Sequence, residues 1–84
     1  MKLAKYTKFR EEKFGGVLFE TRSEKVYSLN PTAAAVVREI APGVAAADIV
    51  ERLKARFGDG DGAVIEREVL AYIAQLRQTG LLED

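Results

Sequence analysis

The sequence contains no cysteine and no histidine. The lack of cysteine excludes a disulfide framework and a thiolate metal site, and the lack of histidine removes the commonest general base and metal ligand. An excess of charge of one sign is also missing, because 13 basic residues balance 13 acidic ones. General binders of nucleic acid or of membrane surfaces normally carry a basic excess, so the composition argues against both functions.

Long apolar runs are absent as well. No segment has the ~18 consecutive apolar residues of a membrane span, and charges are spread through residues 1–13, where an export signal would need an apolar stretch. We therefore expect a cytoplasmic protein. The chain has 84 residues, of which 48% are hydrophobic and 31% charged. It is long enough for one globular domain over residues 1–84 and too short for two independent cores.

A β-hairpin is predicted in the first third of the chain. Residues 17–21 and 25–29 each alternate between two faces, as strands do. The connection at 22–24 has neither glycine nor asparagine, so a turn longer than two residues is expected. An earlier strand is predicted to begin within residues 5–8. The glycine pair at 15–16 is expected to break the chain and let it turn freely.

Three helices are predicted after the hairpin. The Asn-Pro pair at 30–31 is typical of a helix start, and apolar stripes at helical spacing favour helices over 31–41, 45–57 and 63–79. Gly80 has the position of a C-terminal capping glycine. Because everything downstream of the hairpin is predicted to be helical, the hairpin would belong to the only sheet of an α+β domain.

The glycine- and aspartate-rich loop at 58–62 does not match the calcium-binding loop of an EF-hand. With Asp59 and Asp61 at the first and third positions of an EF-hand loop, the fifth position is Ala63 and the twelfth is Leu70. Neither side chain offers the oxygen ligand that the motif requires. The segment is therefore interpreted as a solvated loop between helices, and no metal is expected.

Catalytic groups are also hard to find. Glu20 and Glu24 flank the hairpin turn, but no apolar sequence surrounds them that would perturb their pKa values. Ser23 and Ser28 have no histidine anywhere in the chain to activate them. The sequence therefore predicts a protein that is not an enzyme.

Two strands followed by helices also suggest a winged helix-turn-helix domain, and such domains often bind DNA through their third helix. Here the exposed arginines of that helix, Arg67 and Arg77, are offset by Glu66 and Glu68. The helix thus lacks the basic face that phosphate contacts need. A small DNA-binding regulator is kept as the alternative function, although the charge pattern does not favour it.

Leu70 is an unusual residue of the third helix. On a helical wheel it lies well away from the arc of Ile65, Val69, Tyr72, Ile73 and Leu76, which is predicted to face the core. Glu66, Ile73 and Arg77 share its flank. Two interpretations stay open: Leu70 packs under a neighbouring loop, or it forms the wall of a groove for a peptide.

Several segments, in their order and spacing, resemble the PqqD-like proteins. These segments are the glycine pair at 15–16, the run Leu-Asn-Pro-Thr-Ala at 29–33, and Gly-Leu-Leu at 80–82. PqqD-like proteins are small peptide chaperones, also called recognition elements for ribosomally synthesised and post-translationally modified peptides (RiPPs). The resemblance covers residues 14–82. It departs at the hairpin turn, where family members often carry a glycine, and it leaves the subfamily open.

The resemblance implies a small winged helix-turn-helix-like fold with an N-terminal three-stranded antiparallel sheet followed by three helices. It also implies a non-catalytic protein without a cofactor that binds the leader region of a ribosomally made precursor peptide. The bound peptide is presented to a modifying enzyme, for which a radical S-adenosylmethionine (SAM) enzyme is the expected class. The leader would add as a strand beside the third strand and rest against the third helix.

Physical reasoning supports such a site, because a short edge strand has unpaired N–H and C=O groups that an extended peptide can complete. The expected edge is Lys25, Val26, Tyr27, Ser28 and Leu29, and the expected helical wall is Glu66, Leu70, Ile73 and Arg77. An edge of this kind could also pair with a second copy, so both a monomer and an edge-paired dimer are compatible with the sequence. An adaptor that binds an enzyme without a peptide of its own is a third candidate.

Overall fold

The computed structural model describes residues 1–57 and 61–83. Its strands are β1 (Lys2–Leu3), β2 (Thr7–Glu12), β3 (Gly15–Glu20), β4 (Lys25–Leu29) and β5 (Leu82–Glu83), and its helices are α1 (Pro31–Glu39), α2 (Ala46–Arg56) and α3 (Gly62–Gln78). The order β2-β3-β4 forms an antiparallel three-stranded sheet. The predicted fold class is confirmed. No helix in the described part of the chain is long and apolar enough to cross a membrane.

The central strand β3 anchors the sheet to the helices. Leu18 pairs with Phe9 of β2 and with Tyr27 of β4, and its side chain is fully buried. The predicted strand over Lys25–Leu29 is confirmed, and the turn before it spans residues 21–24, longer than two residues as expected. Glu24 adopts a positive φ of 62°, a conformation that a glycine would adopt more readily.

The prediction that the glycine pair breaks the chain is wrong, because both glycines lie inside β3. A side chain at Gly15 would place its Cβ 2.2 Å from the carbonyl oxygen of Leu29, and one at Gly16 would come within 2.6 Å of the Phe9 ring. Gly15 also has a φ of +143°. The pair is therefore explained by close packing of three strands rather than by a turn.

A second, two-stranded sheet corrects the prediction of a single sheet. Antiparallel pairing of β1 with β5 sets Lys2 opposite Glu83 and Leu3 opposite Leu82. The pairing continues in a hydrogen bond of 2.9 Å from the Ala4 N–H to the Leu81 carbonyl. The two ends of the described chain are thereby joined beside the C-terminus of α3.

Helix α1 begins where the sequence predicts. The side chain of Asn30 accepts a hydrogen bond of 2.8 Å from the N–H of Ala33, and Pro31 occupies the first helical position. Helix α2 has Ala45 at its N-terminal cap, which offers no side-chain acceptor. Its first turn is held instead by Asp48, whose carboxylate accepts a hydrogen bond of 2.9 Å from the Ala45 N–H.

Helix α3 is bounded by two capping residues. Asp61 accepts a hydrogen bond of 2.9 Å from the N–H of Ala63, so this aspartate of the glycine- and aspartate-rich loop acts as a helix cap. Asp59 lies outside the described residues. At the other end Gly80 has a φ of 77°, and the N–H of Leu81 donates to the carbonyl of Leu76 at 2.9 Å. The predicted glycine cap is confirmed.

The core lies between one face of the sheet and the three helices. Its buried members are Leu18, Leu29, Ala34, Ala35, Val36, Val37, Ile49, Val50, Leu53, Val69, Ile73, Leu76, Leu81 and Leu82. Ile65 and Tyr72 of α3 are partly buried against it. The core arc predicted for this helix is thus confirmed, with Tyr72 at its margin.

Candidate functional site

The outer edge of β4 has unpaired backbone groups. Within the described residues, β4 pairs only with β3. The N–H of Thr21 donates to the carbonyl of Tyr6 at 2.8 Å, which fixes the alternation of the antiparallel ladder. By that alternation the backbone groups of Val26 and Ser28 point away from β3, whereas the Leu29 carbonyl lies against β3. Val26 and Ser28 can therefore pair with an added strand.

A groove runs between β4 and α3. Residues from both elements line it, with buried leucines beneath: Leu18, Tyr27, Ser28, Leu29, Tyr72, Gln75, Leu76, Thr79 and Leu81. The cavity measures about 100 Å³, well below the several hundred Å³ of a typical small-molecule pocket. It has room for one or two side chains of a chain lying along β4.

Tyr72 gives the groove a neutral hydroxyl. Desolvation by burial raises the pKa of its phenol from 10.0 to about 12. The side chain is partly buried against the core while it lines the groove. At physiological pH the phenol is therefore a hydrogen-bond donor and acceptor without charge.

The structure brings the predicted edge residues to the groove in two different ways. Tyr27 and Ser28 line the groove, and Leu29 is buried beneath it with 4% of its surface exposed. Val26 is 60% exposed and lies on the opposite face of the sheet, beside Phe19 in the ladder. Lys25 is exposed at the start of the strand. All five belong to the open edge, but only part of them faces α3.

The predicted helical wall is not brought to the same groove. Glu66 forms an ion pair of 3.9 Å with Lys54 of α2, and Leu70 and Arg77 follow on the same flank of α3 at helical spacing. Ile73 belongs to the core, with 4% of its surface exposed. Leu70 is 43% exposed, so it does not pack under a loop. A peptide contact by these residues stays a prediction.

Three residues that line the groove were not predicted from the sequence, namely Tyr72 and Gln75 of α3 and Thr79, which caps its C-terminus. They lie on the flank opposite to Leu70, about 60–120° from Val69 on the helical wheel. Tyr72 was assigned to the core arc only. A helical wheel separates the two flanks of a helix, but the side on which the sheet packs depends on tertiary structure. No signal in the sequence alone distinguished them.

Within residues 1–57 and 61–83, no group of three acidic, histidine or cysteine residues is placed to hold a metal ion. The arrangement is suited to binding an extended chain, because an open ladder lies beside an apolar groove.

Comparisons with known proteins agree with this geometry. A family model described as coenzyme PQQ synthesis protein D (PqqD) matches residues 15–82. Among curated proteins, no relative matches the chain. Among solved structures, a lasso peptide synthetase B1 complexed with the leader peptide is similar with a TM-score of 0.81 and 25% identity, over 99% of this chain and 96% of that chain.

Two further structures are similar over almost the whole chain. The PqqD truncation of Methylobacterium extorquens PqqCD, a stand-alone RiPP recognition element, has a TM-score of 0.76 and 25% identity over 99% of this chain and 87% of that chain. TbiB1 in complex with the TbiA(beta) leader peptide has a TM-score of 0.84 over 99% and 95% of the two chains; at 19% identity it supports the fold alone. Because the family model spans most of the sequence, the chain belongs to the PqqD family.

Proposed function

We propose that this protein binds the leader region of a ribosomally synthesised precursor peptide as an added strand on β4 and presents it to a modifying enzyme. The observation that carries the proposal is the open edge of β4, where the backbone groups of Val26 and Ser28 face away from β3 beside the groove. A similar protein, lasso peptide synthetase B1, was solved with a leader peptide, which supports a peptide as the ligand.

The groove favours a peptide with an apolar anchor. Its leucine floor would bury one or two apolar side chains, while Tyr72 and Gln75 on α3 offer polar groups above that floor. Main-chain pairing tolerates many sequences, and side-chain pockets supply selectivity. Pairing with one or two anchors is compatible with micromolar binding, about −8 kcal/mol.

The role of the protein in this proposal is that of a non-catalytic chaperone. The PqqD truncation is described as a functional, stand-alone recognition element, which supports recognition without chemistry of its own. The expected enzyme partner is a radical SAM enzyme, as the family resemblance implies. The protein would act in the cytoplasm, where ribosomally made precursors become available. It would act as a monomer, because an edge-paired dimer would cover the strand that the peptide needs.

The test uses Ser28, whose outward N–H the added strand would bind. Binders are first selected from a displayed library of random twelve-residue peptides and then synthesised with acetylated and amidated ends. Ser28→Pro removes the N–H and is tolerated on an edge strand, while Ser28→Val keeps it. Ser28→Pro loses one hydrogen bond and adds an obstructing ring, so it should weaken binding at least about tenfold. Ser28→Val should leave the Kd within about twofold. Fluorescence anisotropy measures both.

A second measurement addresses the backbone of the ligand. Methylation of alternate peptide nitrogens should abolish binding in one register and spare it in the other, because an added strand directs every second N–H toward β4. Failure of the library to yield any binder would contradict the proposed function. Equal binding by wild type and a folded Ser28→Pro variant would contradict strand addition on β4.

A further inference from the structure

A second cavity continues the groove at the Lys25 end of β4. It measures about 450 Å³ and shares Tyr27 and Thr79 with the groove between β4 and α3. Its other walls come from the segment before β2, from the β3–β4 turn and from the end of α3. A strand that pairs with β4 and continues past Lys25 would therefore enter this cavity.

Three cations surround the cavity, namely Lys5, Arg22 and Lys25. The Arg22 guanidinium lies 4.8 Å and the Lys5 ammonium 5.6 Å from the centroid of the Tyr6 ring. Among the ion pairs formed by residues 1–57 and 61–83, none involves any of these three cations. We call these three side chains the basic corner.

The carboxylates of the same cavity are already engaged. Glu20 accepts a hydrogen bond of 2.6 Å from the Ser23 N–H and another from the Ser23 hydroxyl. These bonds, with a smaller contribution from Arg22, lower the pKa of Glu20. Glu83 pairs with Lys2 at 3.6 Å. Glu20 lies opposite Lys25 in the ladder without forming an ion pair, so the basic corner keeps its capacity to bind an anion.

Thr7 provides an independent sign of a ligand. It lines the cavity, is 5% exposed, and its hydroxyl oxygen has no hydrogen-bond partner among the described residues. A buried hydroxyl without a hydrogen-bond partner destabilises a fold. Because this oxygen is itself covered, the Thr7 side chain would have to rotate toward the cavity before an acceptor there could relieve the penalty.

Building on the proposed function, we propose that the basic corner is a carboxylate subsite that binds an aspartate or glutamate side chain of the peptide paired on β4. The five residues of β4 match five residues of an added strand, about 17 Å long. The acidic residue then lies one or two positions beyond the paired segment. It is C-terminal to that segment if the peptide runs antiparallel to β4 and N-terminal if it runs parallel.

The experiment uses the same displayed library of random twelve-residue peptides, with the ends of synthetic binders blocked so that no terminal carboxylate contributes. Selected binders should carry an acidic residue at one end of their common apolar segment. Replacing this residue by its amide should weaken binding to wild type about tenfold, because a charge-assisted contact is lost. The loss should shrink at high salt, since these cations are exposed.

The protein side of the test is the triple variant Lys5→Gln, Arg22→Gln and Lys25→Gln. It should bind the acidic peptide about tenfold more weakly than wild type does and bind acidic and amide peptides equally, so that the two changes are not additive. Thr7→Val should likewise weaken only the acidic peptide.

The matched control neutralises three exposed cations outside this cavity, Lys13→Gln, Arg56→Gln and Arg67→Gln. It has the same net charge as the triple variant of the basic corner and should leave the Kd within about twofold at 150 mM salt. Binders without an acidic preference, or equal losses in both triple variants, would overturn the carboxylate subsite and leave the proposed function standing. A library that yields no binder would overturn both.

Discussion

The two flanks of helix α3 face different parts of the molecule. Gln75 and Thr79 lie beside β4 and line the groove, and we call their side the β4-facing flank. Glu66 lies beside α2 and pairs with Lys54, and we call its side the α2-facing flank. Leu70 continues the α2-facing flank and is more exposed than any core residue. An exposed apolar residue thus lies on one flank, and a groove with an open strand edge lies on the other.

The difference shows that exposure alone is weak evidence for a binding site. Single apolar residues on a protein surface are common and need no functional explanation. The β4-facing flank is distinguished by a combination of features, namely an open strand edge, a buried leucine floor and the partly buried side chain of Tyr72. Variants that change one flank at a time can test whether peptide binding is confined to that flank.

Filling the groove should have the largest effect. Gln75→Trp places a bulky ring in a cavity of about 100 Å³, so a peptide side chain can no longer enter. We expect selected peptides to bind at least about tenfold more weakly, the equivalent of roughly 1.4 kcal/mol. Fluorescence anisotropy measures the change, and circular dichroism checks that the fold is kept.

Ala74 offers the matched control for that variant. It is exposed on α3, next to Gln75 in sequence, and does not line the groove. Ala74→Trp adds a ring of the same size and should leave the Kd within about twofold. If both tryptophan variants bind as wild type does, the β4-facing flank does not contact the peptide.

Much of the fold could be predicted from sequence because its signals are local. Alternation predicts β4, the Asn-Pro pair predicts the start of α1, and Gly80 predicts the end of α3. The sheet formed by β1 and β5 could not be predicted, because two-residue strands have no periodicity and pair residues some 80 positions apart. The positions of Gly15 and Gly16 inside β3 could not be predicted, because the need for glycine there comes from close contacts with β2 and with the end of β4.

The candidate site was predictable only in part, for the same physical reason. The edge Lys25–Leu29 follows from strand pattern and strand order. The helical face beside it depends on how α3 is rotated against the sheet, which is set by packing of Val69, Ile73 and Leu76 in the core. The sequence places Leu70 off the core arc, but it does not show whether Leu70 lies on the β4 side or on the α2 side of the helix.

The phenol of Tyr72 gives the β4-facing flank a pH signature. Its folded pKa of about 12 lies above the ordinary value of 10.0, so the unfolded state loses its proton first. The free energy of unfolding therefore does not change with the titration of this phenol well below pH 10, and it decreases as the pH rises from 10 to 12. A full two-unit shift corresponds to about 2.7 kcal/mol, and partial exposure of the ring reduces the expected loss to about 1 kcal/mol.

The measurement compares wild type with Tyr72→Phe by urea unfolding at pH 9, 10 and 11.5. Both proteins lose stability in alkali through their other titrating groups. Only wild type should show the additional loss, so its free energy of unfolding should fall relative to that of Tyr72→Phe as the pH rises. A difference that is independent of pH would show that the Tyr72 phenol titrates normally.

Leu70→Asp separates the two hypotheses about the helical wall. If Leu70 contacts the peptide, as sequence analysis predicts, binding should weaken. The observed geometry instead predicts a Kd within about twofold of wild type. Because aspartate is a poorer helix former and repels Glu66 four residues earlier, a stability loss of up to about 1 kcal/mol is expected, measured by urea unfolding. Weaker binding by the folded variant would place the peptide across the α2-facing flank.

The smallest effect is expected for Glu66→Gln. The ion pair with Lys54 is 3.9 Å long, and the two side chains are 52% and 33% exposed, so screening by water and salt leaves it worth about 0–0.5 kcal/mol. Urea unfolding at low and high salt should give nearly the same free energy for variant and wild type, and the peptide Kd should not change. A loss above about 1 kcal/mol that disappears at high salt would mean that charge fixes α2 against α3. The rotation of α3 that turns Leu70 away from β4 would then be held partly by this ion pair, and Glu66→Gln would become a way to alter the groove from the opposite flank.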